Sequence, residues 1–242
     1  MVFALFLAAA ALVAGAVAAV TGFGVGSLLT PALALRTGTK LAVAAIAIPH
    51  FIGTAQRFWM LRQHVDRQVL AGFGIASAVG GLTGALVHTR VSSGALAVVF
   101  GMLLVSAGLS EMTGWMQRVK WGRRAAWVAG AVSGALGGLV GNQGGIRAAA
   151  MLGFHVPKES FVATATAIGL FVDAARLPVY LVGEWREIVA IWPLVLVATV
   201  GVVIGTAVGT PVLQRLPAHI FRRILSVLLI GLGIYMALSG GQ

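Results

Sequence analysis

Two arginines sit where a charge is expensive. Arg57 and Arg176 each interrupt a long apolar run. An ionised side chain within a bilayer persists only where it has a partner, a wet cavity or a task. A guanidinium stays charged at every physiological pH, and its planar fork of donors matches the oxygens of a small oxyanion. An offset of 119 positions carries Arg57 onto Arg176 and Gly15, Gly22 and Gly26 onto Gly134, Gly141 and Gly145. The chain contains itself twice, and each copy brings one intramembrane cation.

Two glycine clusters accompany these cations, Gly22-Phe-Gly24-Val-Gly26 and Gly141-Asn142-Gln143-Gly144-Gly145. Unwound backbone at membrane depth is tolerated only where it is enclosed by protein or lines a wet cavity. Matching breaks in both halves therefore predict a cavity between them. A helix restarting after each break would aim free N–H groups and a positive dipole end at it, which favours an anion. Asn142 and Gln143 would add amide donors. The plainer alternatives are that the glycines only let helices cross closely and that the arginines lift their charges to the headgroups. Their matched positions in the two halves favour a binding pair.

Three further residues belong to this constellation. Arg147 falls in the first turn after the second break, and Asp173 lies three residues before Arg176. An ion pair of Asp173 with Arg176 or Arg147 is the simplest role for the carboxylate. The sharper alternative is that it competes with the anion for an arginine or carries a coupled proton. Thr54 stands at the matching place in the first half, so the carboxylate is not duplicated. His50 follows Pro49 within an apolar run and could shuttle protons or donate to a carbonyl freed by a kink. His64, His88, His155 and His219 lie near helix ends and read as loop or interface residues.

Composition sets the environment. The 242 residues are 59% hydrophobic and only 10% charged, with a mean hydropathy of +0.99. A soluble domain of this size needs far more polar surface. The apolar runs are continuous rather than alternating, which predicts helices and not an outer-membrane barrel. The formal charge of +11 is spread over short connections, as in cytoplasmic loops, so no nucleic-acid partner is implied. There is no cysteine, which excludes disulfides and thiolate metal sites. No HExxH, P-loop or nucleophile-elbow spacing occurs, so neither catalysis, a cofactor nor a bound metal is expected.

The elements that must position these groups follow from the runs. Apolar segments fall at about 2–20, 27–35, 41–61, 68–87, 92–110, 125–140, 145–154, 160–182, 188–209 and 218–238, and a full span needs about 20 residues. Residues 1–20 lack Lys and Arg, so they read as a first membrane helix and not as a signal peptide. Each long-short pair around a glycine cluster reads as one broken unit followed by three full helices. The expected organisation is a first repeat at 1–113, a basic connection at 114–124 and a second repeat at 125–242. Trp115 and Trp121 in the connection suit headgroup-level anchors. Beyond the first apolar runs, Gly80 and Gly84 align with Gly201 and Gly205 after a two-residue slip, and Gly108 aligns with Gly233.

Charge placement bears on orientation. If each broken unit crosses once, the halves are parallel and the loop cations divide evenly between the two faces. If each dips in and returns, the halves are inverted. Arg36, Lys40, Arg90 and Arg186 then lie outside and the other ten loop cations inside. The positive-inside rule favours the inverted arrangement, with both termini outside. Residues 2–20 are nevertheless long enough to span, at about 1.5 Å per residue.

The breaks themselves carry a resemblance. The first reads Gly22-Phe-Gly24-Val-Gly26-Ser-Leu-Leu-Thr-Pro31-Ala-Leu33, and the second Gly141-Asn-Gln-Gly144-Gly145-Ile-Arg-Ala-Ala-Ala150-Met-Leu152. This twice-occurring glycine turn followed by Pro-x-Leu resembles the TauE/SafE sulfite-exporter family. Val25 replaces one glycine, Gln143 another, and Ala150 the second proline. The length and the basic central connection are also similar to the family. The resemblance implies an all-α polytopic carrier that exports a small sulfur oxyanion, sulfite first, with organosulfonate export or anion uptake as the alternative. A non-transporting membrane scaffold or enzyme subunit is the remaining class. The residues expected at the site are Gly22, Gly24, Gly26, Arg57, Asn142, Gln143, Gly144, Gly145 and Arg176, with His50, Arg147 and Asp173 beside them.

Overall fold

The computed structural model describes residues 1–115, 123–141, 144–151, 154, 157–213 and 217–240. Among these, the regular structure is helical and no strand occurs. The helices are α1 (Val2–Thr21), α2 (Val25–Thr37), α3 (Thr39–Leu61), α4 (Arg67–His88), α5 (Ser93–Thr113), α6 (Arg123–Val140), α7 (Gly144–Met151), α8 (Lys158–Ala190), α9 (Trp192–Leu213) and α10 (Ala218–Ser239). Seven of them are long and apolar enough to cross a membrane, and α6 is a shorter apolar helix. Side chains such as Val128, Val182, Val200, Val227 and Leu238 face outward and are exposed. That exterior suits lipid and not water, and the chain is a multi-pass membrane protein.

Both glycine breaks form. Gly22 ends α1 in the left-handed region (φ 78°), and its N–H closes onto the Ala18 carbonyl at 2.9 Å. Gly24 follows at φ 128°, a conformation that side chains resist. The chain then turns back: α2 lies antiparallel to α1, with Arg36 stacked over Phe3 at 5.5 Å from the ring centroid. Gly141 ends α6 in the same way, at φ 77° with its N–H on the Gly137 carbonyl at 2.9 Å. Of the two Trp anchors expected in the connection, Trp115 is exposed and Trp121 lies outside the described residues.

Each broken helix packs along its length on a helix of the other half. Gly201, Gly205 and Gly209 of α9 lie against Ala11, Leu12 and Ala16 of α1. Gly80 and Gly84 of α4 lie against Ala131 and Ala135 of α6, and Gly134 and Gly138 against Ser77 and Gly81. A Cβ on any of these glycines would strike the helix opposite. Close backbone approach through small residues is how helices gain dispersion contact in lipid. Ser77 Oγ reinforces one seam by donating to the Gly130 carbonyl (3.0 Å), and Thr206 Oγ1 the other by donating to the Gly15 carbonyl (3.4 Å).

These contacts correct the repeat register. Leu12 and Ala131 match at the original offset, so the glycines against them, Gly205 and Gly80, are counterparts. Gly84 likewise corresponds to Gly209, and the Gly201/Gly205 alignment is displaced by one turn. The extra residues are absorbed in α8. It was expected to stop near 182 but runs on to Ala190 through a kink at Glu184 (φ −125°, ψ 23°).

Corresponding helices of the two halves meet antiparallel. Along α3 and α8, Lys40 faces Glu184 at one end (3.8 Å), His50 meets Asp173 in the middle (2.7 Å), and the Asp66 N–H donates to Thr164 at the other (2.9 Å). Along α5 and α10, Gly94 packs on Gly240, Gly101 on Gly233 and Gly108 on Ser226. The main core runs through the bundle, with Leu29 and Leu33 of α2, Ile46 of α3, Phe100 of α5, Tyr180 of α8 and Val202 of α9 almost fully enclosed.

Candidate anion-binding site

The site lies where α3 crosses α8 and the two breaks touch. A Cβ on Gly26 would collide with the Gly141 carbonyl, and one on Gly144 with Phe23. The two breaks thus touch at these glycines, where the duplicated breaks predict a cavity between the halves. Between them is a cavity of about 10 Å³ lined by Phe23, Gly24, Gly26, Ser27, His50, Gly141, Gly144 and Arg147. That holds the centre of roughly one water molecule. In this conformation the seam is closed, and a four- or five-atom oxyanion requires the breaks to separate.

A polar network crosses from one half to the other beside this cavity. Arg57 Nη2 donates to Thr54 Oγ1 at 3.0 Å, and that hydroxyl lies 3.4 Å from His50 Nδ1. His50 Nδ1 donates in turn to Asp173 Oδ2 at 2.7 Å. The other carboxylate oxygen accepts from Arg176 Nε at 3.0 Å and pairs with Nη2 at 2.8 Å. Arg176 Nη1 donates to the Gly137 carbonyl at 2.6 Å, in the last turn of α6. The Tyr180 hydroxyl closes onto the neighbouring Gly138 carbonyl. The spacing explains the local geometry. Thr54 and Arg57, like Asp173 and Arg176, are three residues apart on a helix, so each pair shares a face.

The arginines are unequally engaged. Each of the three guanidinium nitrogens of Arg176 has a protein partner. By contrast, Arg57 keeps Nε and Nη1 buried without a hydrogen-bond partner, and Arg147 keeps Nη1 in the same state. Burial of such donors costs free energy and calls for an explanation. Arg147 reaches its position because residue 169 is glycine. A Cβ there would lie 2.9 Å from Arg147 Nη1. Among the described residues, the buried ionised side chains are Arg57, Arg147, Arg176 and Asp173, with His50 and His88 as the buried imidazoles. With the imidazoles neutral, the balance is two uncompensated positive charges.

Most of the expected residues converge. Gly24, Gly26, Gly144, His50 and Arg147 line the cavity, while Gly22 forms the preceding turn and Gly145 lies within α7. Arg57, Asp173 and Arg176 belong to the adjoining network. Asn142 and Gln143 lie outside the described residues. Asp173 takes the ion-pair role with Arg176, and His50 bonds to this carboxylate and not to a kink carbonyl. His88 differs from its expected interface role. It is fully buried, with Nδ1 on the Leu139 carbonyl at 2.8 Å and its ring 4.9 Å from that of Tyr180. Tyr180 and Gly169 escaped the sequence reading. The available signals were a lone tyrosine one turn beyond Arg176 and a glycine at the repeat position of His50.

The family model described as sulfite exporter TauE/SafE matches residues 7–236. No curated protein and no solved structure matches the chain. A match over nearly the whole length, across both broken units and the helices that carry the buried arginines, places the chain in the TauE/SafE sulfite-exporter family.

Proposed function

We propose that this protein is a secondary carrier that exports a small sulfur oxyanion, sulfite first, by alternating access between two inverted halves. The carrying observation is the set of unpartnered guanidinium N–H groups, on Arg57 of one half and Arg147 of the other, beside the touching glycine breaks. A dianion would satisfy those donors and neutralise the two uncompensated charges together. Buried without a counter-charge, the same charges carry a desolvation cost. Arg176 completes the cluster from the second half and is held in reserve by Asp173. Nothing in this scheme calls for bond-breaking chemistry, so the protein acts as a carrier and not an enzyme.

Antiparallel packing of α3 on α8 and of α5 on α10 supports inversion, since a repeat related by an in-plane axis pairs equivalent helices head to tail. The return of α2 along α1 supports a re-entrant first unit. Both termini then lie outside a cytoplasmic membrane whose inner face receives most of the loop cations. An inside-negative potential favours exit by about 2.3 kcal/mol per charge per 100 mV, and twice that for a dianion. Outward movement needs no nucleotide.

The test is counterflow in proteoliposomes with sulfite, sulfate, thiosulfate and sulfoacetate as competing solutes. Saturable sulfite exchange that rises with an imposed potential is expected. Preference for sulfoacetate over sulfite would shift the substrate to organosulfonates, and no flux with any of the four would leave a scaffold.

A further inference from the structure

We propose that anion binding is proton-linked: one proton taken up by the His50–Asp173 pair accompanies each anion. This rests on the anion-carrier reading above and concerns the same site. Asp173 is the only buried carboxylate among the described residues, and it occupies Arg176 through two contacts. It is therefore a built-in rival of the incoming anion. His50 bonds the free side of that carboxylate through Nδ1. Its Cδ2 edge lies 3.8 Å from where a Cβ on Gly26 would sit, and the ring lines the cavity. Nε2 is bonded to that carbon, on the edge of the ring away from Asp173. A proton arriving at Nε2 turns the imidazole into an imidazolium and raises the pair from one negative charge to none. Asp173 then has a cationic partner in His50 and holds Arg176 less tightly.

The surroundings restrict the linkage to this pair. His50 faces Thr54 and Arg57 on its own helix, Asp173 and Arg176 on α8, and Arg147 on α7. The arginines keep their protons and the threonine has none to exchange in this range. In the repeat, His50 corresponds to Gly169 and Asp173 to Thr54, so the second half offers no matching pair. One proton per site follows. By reciprocity, the anion must tighten proton binding by the factor by which the proton tightens anion binding.

Calorimetry on the full-length purified protein tests this, titrating sulfite and thiosulfate from about pH 5.5 to 8.5, the range in which a histidine pair exchanges its proton. Thiosulfate stays dianionic throughout, and the protons that sulfite itself exchanges are subtracted. The expected result is uptake of about one proton per anion, with Kd rising about tenfold per pH unit above the pair's own titration, as one-proton linkage requires. His50→Gln should flatten that slope, and Asp173→Asn should do the same. The wild-type proton count decides the matter even if neither variant folds. Binding with no proton uptake and a flat Kd overturns the linkage alone. No binding of either probe at any pH removes the anion site, and the linkage with it.

Discussion

Replacing Arg57 by methionine should move stability and binding in opposite directions. Methionine matches the aliphatic stem of the side chain, so packing along the stem changes little, while the space of the guanidinium is left unfilled. What disappears is a buried charge with two nitrogens that have no partner and one that reaches Thr54. Each orphaned donor costs about 1–3 kcal/mol, against about 1 kcal/mol for the hydrogen bond to Thr54. The ligand-free variant should therefore melt at or above the wild-type temperature. For the anion the balance reverses. A hydrogen bond to a charged group is worth about 1.5–3 kcal/mol. Opposite unit charges about 4 Å apart attract by about 4 kcal/mol at an effective dielectric near 20. Since these overlap, a loss of about 3–4 kcal/mol is expected, or roughly 100- to 1,000-fold in Kd. Thermal unfolding with and without sulfite measures both. Sulfite should raise the wild-type transition and leave that of the variant unmoved. A clear drop in the ligand-free transition would make Arg57 a structural residue, and wild-type affinity in the variant would remove it from the site.

Other perturbations separate the parts of the network. Asp173→Asn breaks a buried ion pair and strands Arg176, so it should destabilise by about 3–5 kcal/mol, read as a lower melting temperature; a neutral result would mean that the pair is solvated. Gly169→Leu places side-chain atoms where Arg147 Nη1 lies, and should abolish sulfite binding while leaving membrane insertion intact. Gly26→Leu drives a side chain into the Gly141 carbonyl and should hold the breaks apart, abolishing flux in proteoliposomes. Full flux in that variant would mean that the breaks play no part in passage.

The sequence exposed the large features because lipid makes them costly. A glycine cluster within an apolar run and an arginine within a span stand out against a uniform background. Their recurrence at a fixed offset distinguishes design from composition. The register of α4 on α9 was harder to read. Gly80/Gly84 can align with Gly201/Gly205 or with Gly205/Gly209, and both choices keep the small-residue spacing. Only the neighbours, Ala131 and Leu12 at matched positions on the opposing helices, separate the two. Small-residue periodicity reveals that a seam exists but leaves its phase open to a shift of one turn.

The chemistry was legible in kind and less so in its division of labour. Arg57 and Arg176 look equivalent in the repeat, yet the residues three positions before them, Thr54 and Asp173, give them different states. Next to a hydroxyl, Arg57 keeps two donors free, while Arg176 beside a carboxylate is fully engaged. The other unpartnered guanidinium nitrogen belongs to Arg147, whose counterpart in the first half is Leu28. Its Nη1 lies against Gly169, the counterpart of His50, at 2.9 Å from where a Cβ would sit. Each departure from internal symmetry is thus answered by another: within the second half the cation gained at Arg147 meets the side chain deleted at Gly169, and across the seam the carboxylate gained at Asp173 meets His50. Two identical halves would present two cations and no acid, a site able to attract an anion but with no group to compete for it. In the proposed mechanism the asymmetric pair His50–Asp173 supplies that competitor, so that binding and release of the solute are opposed within one cluster.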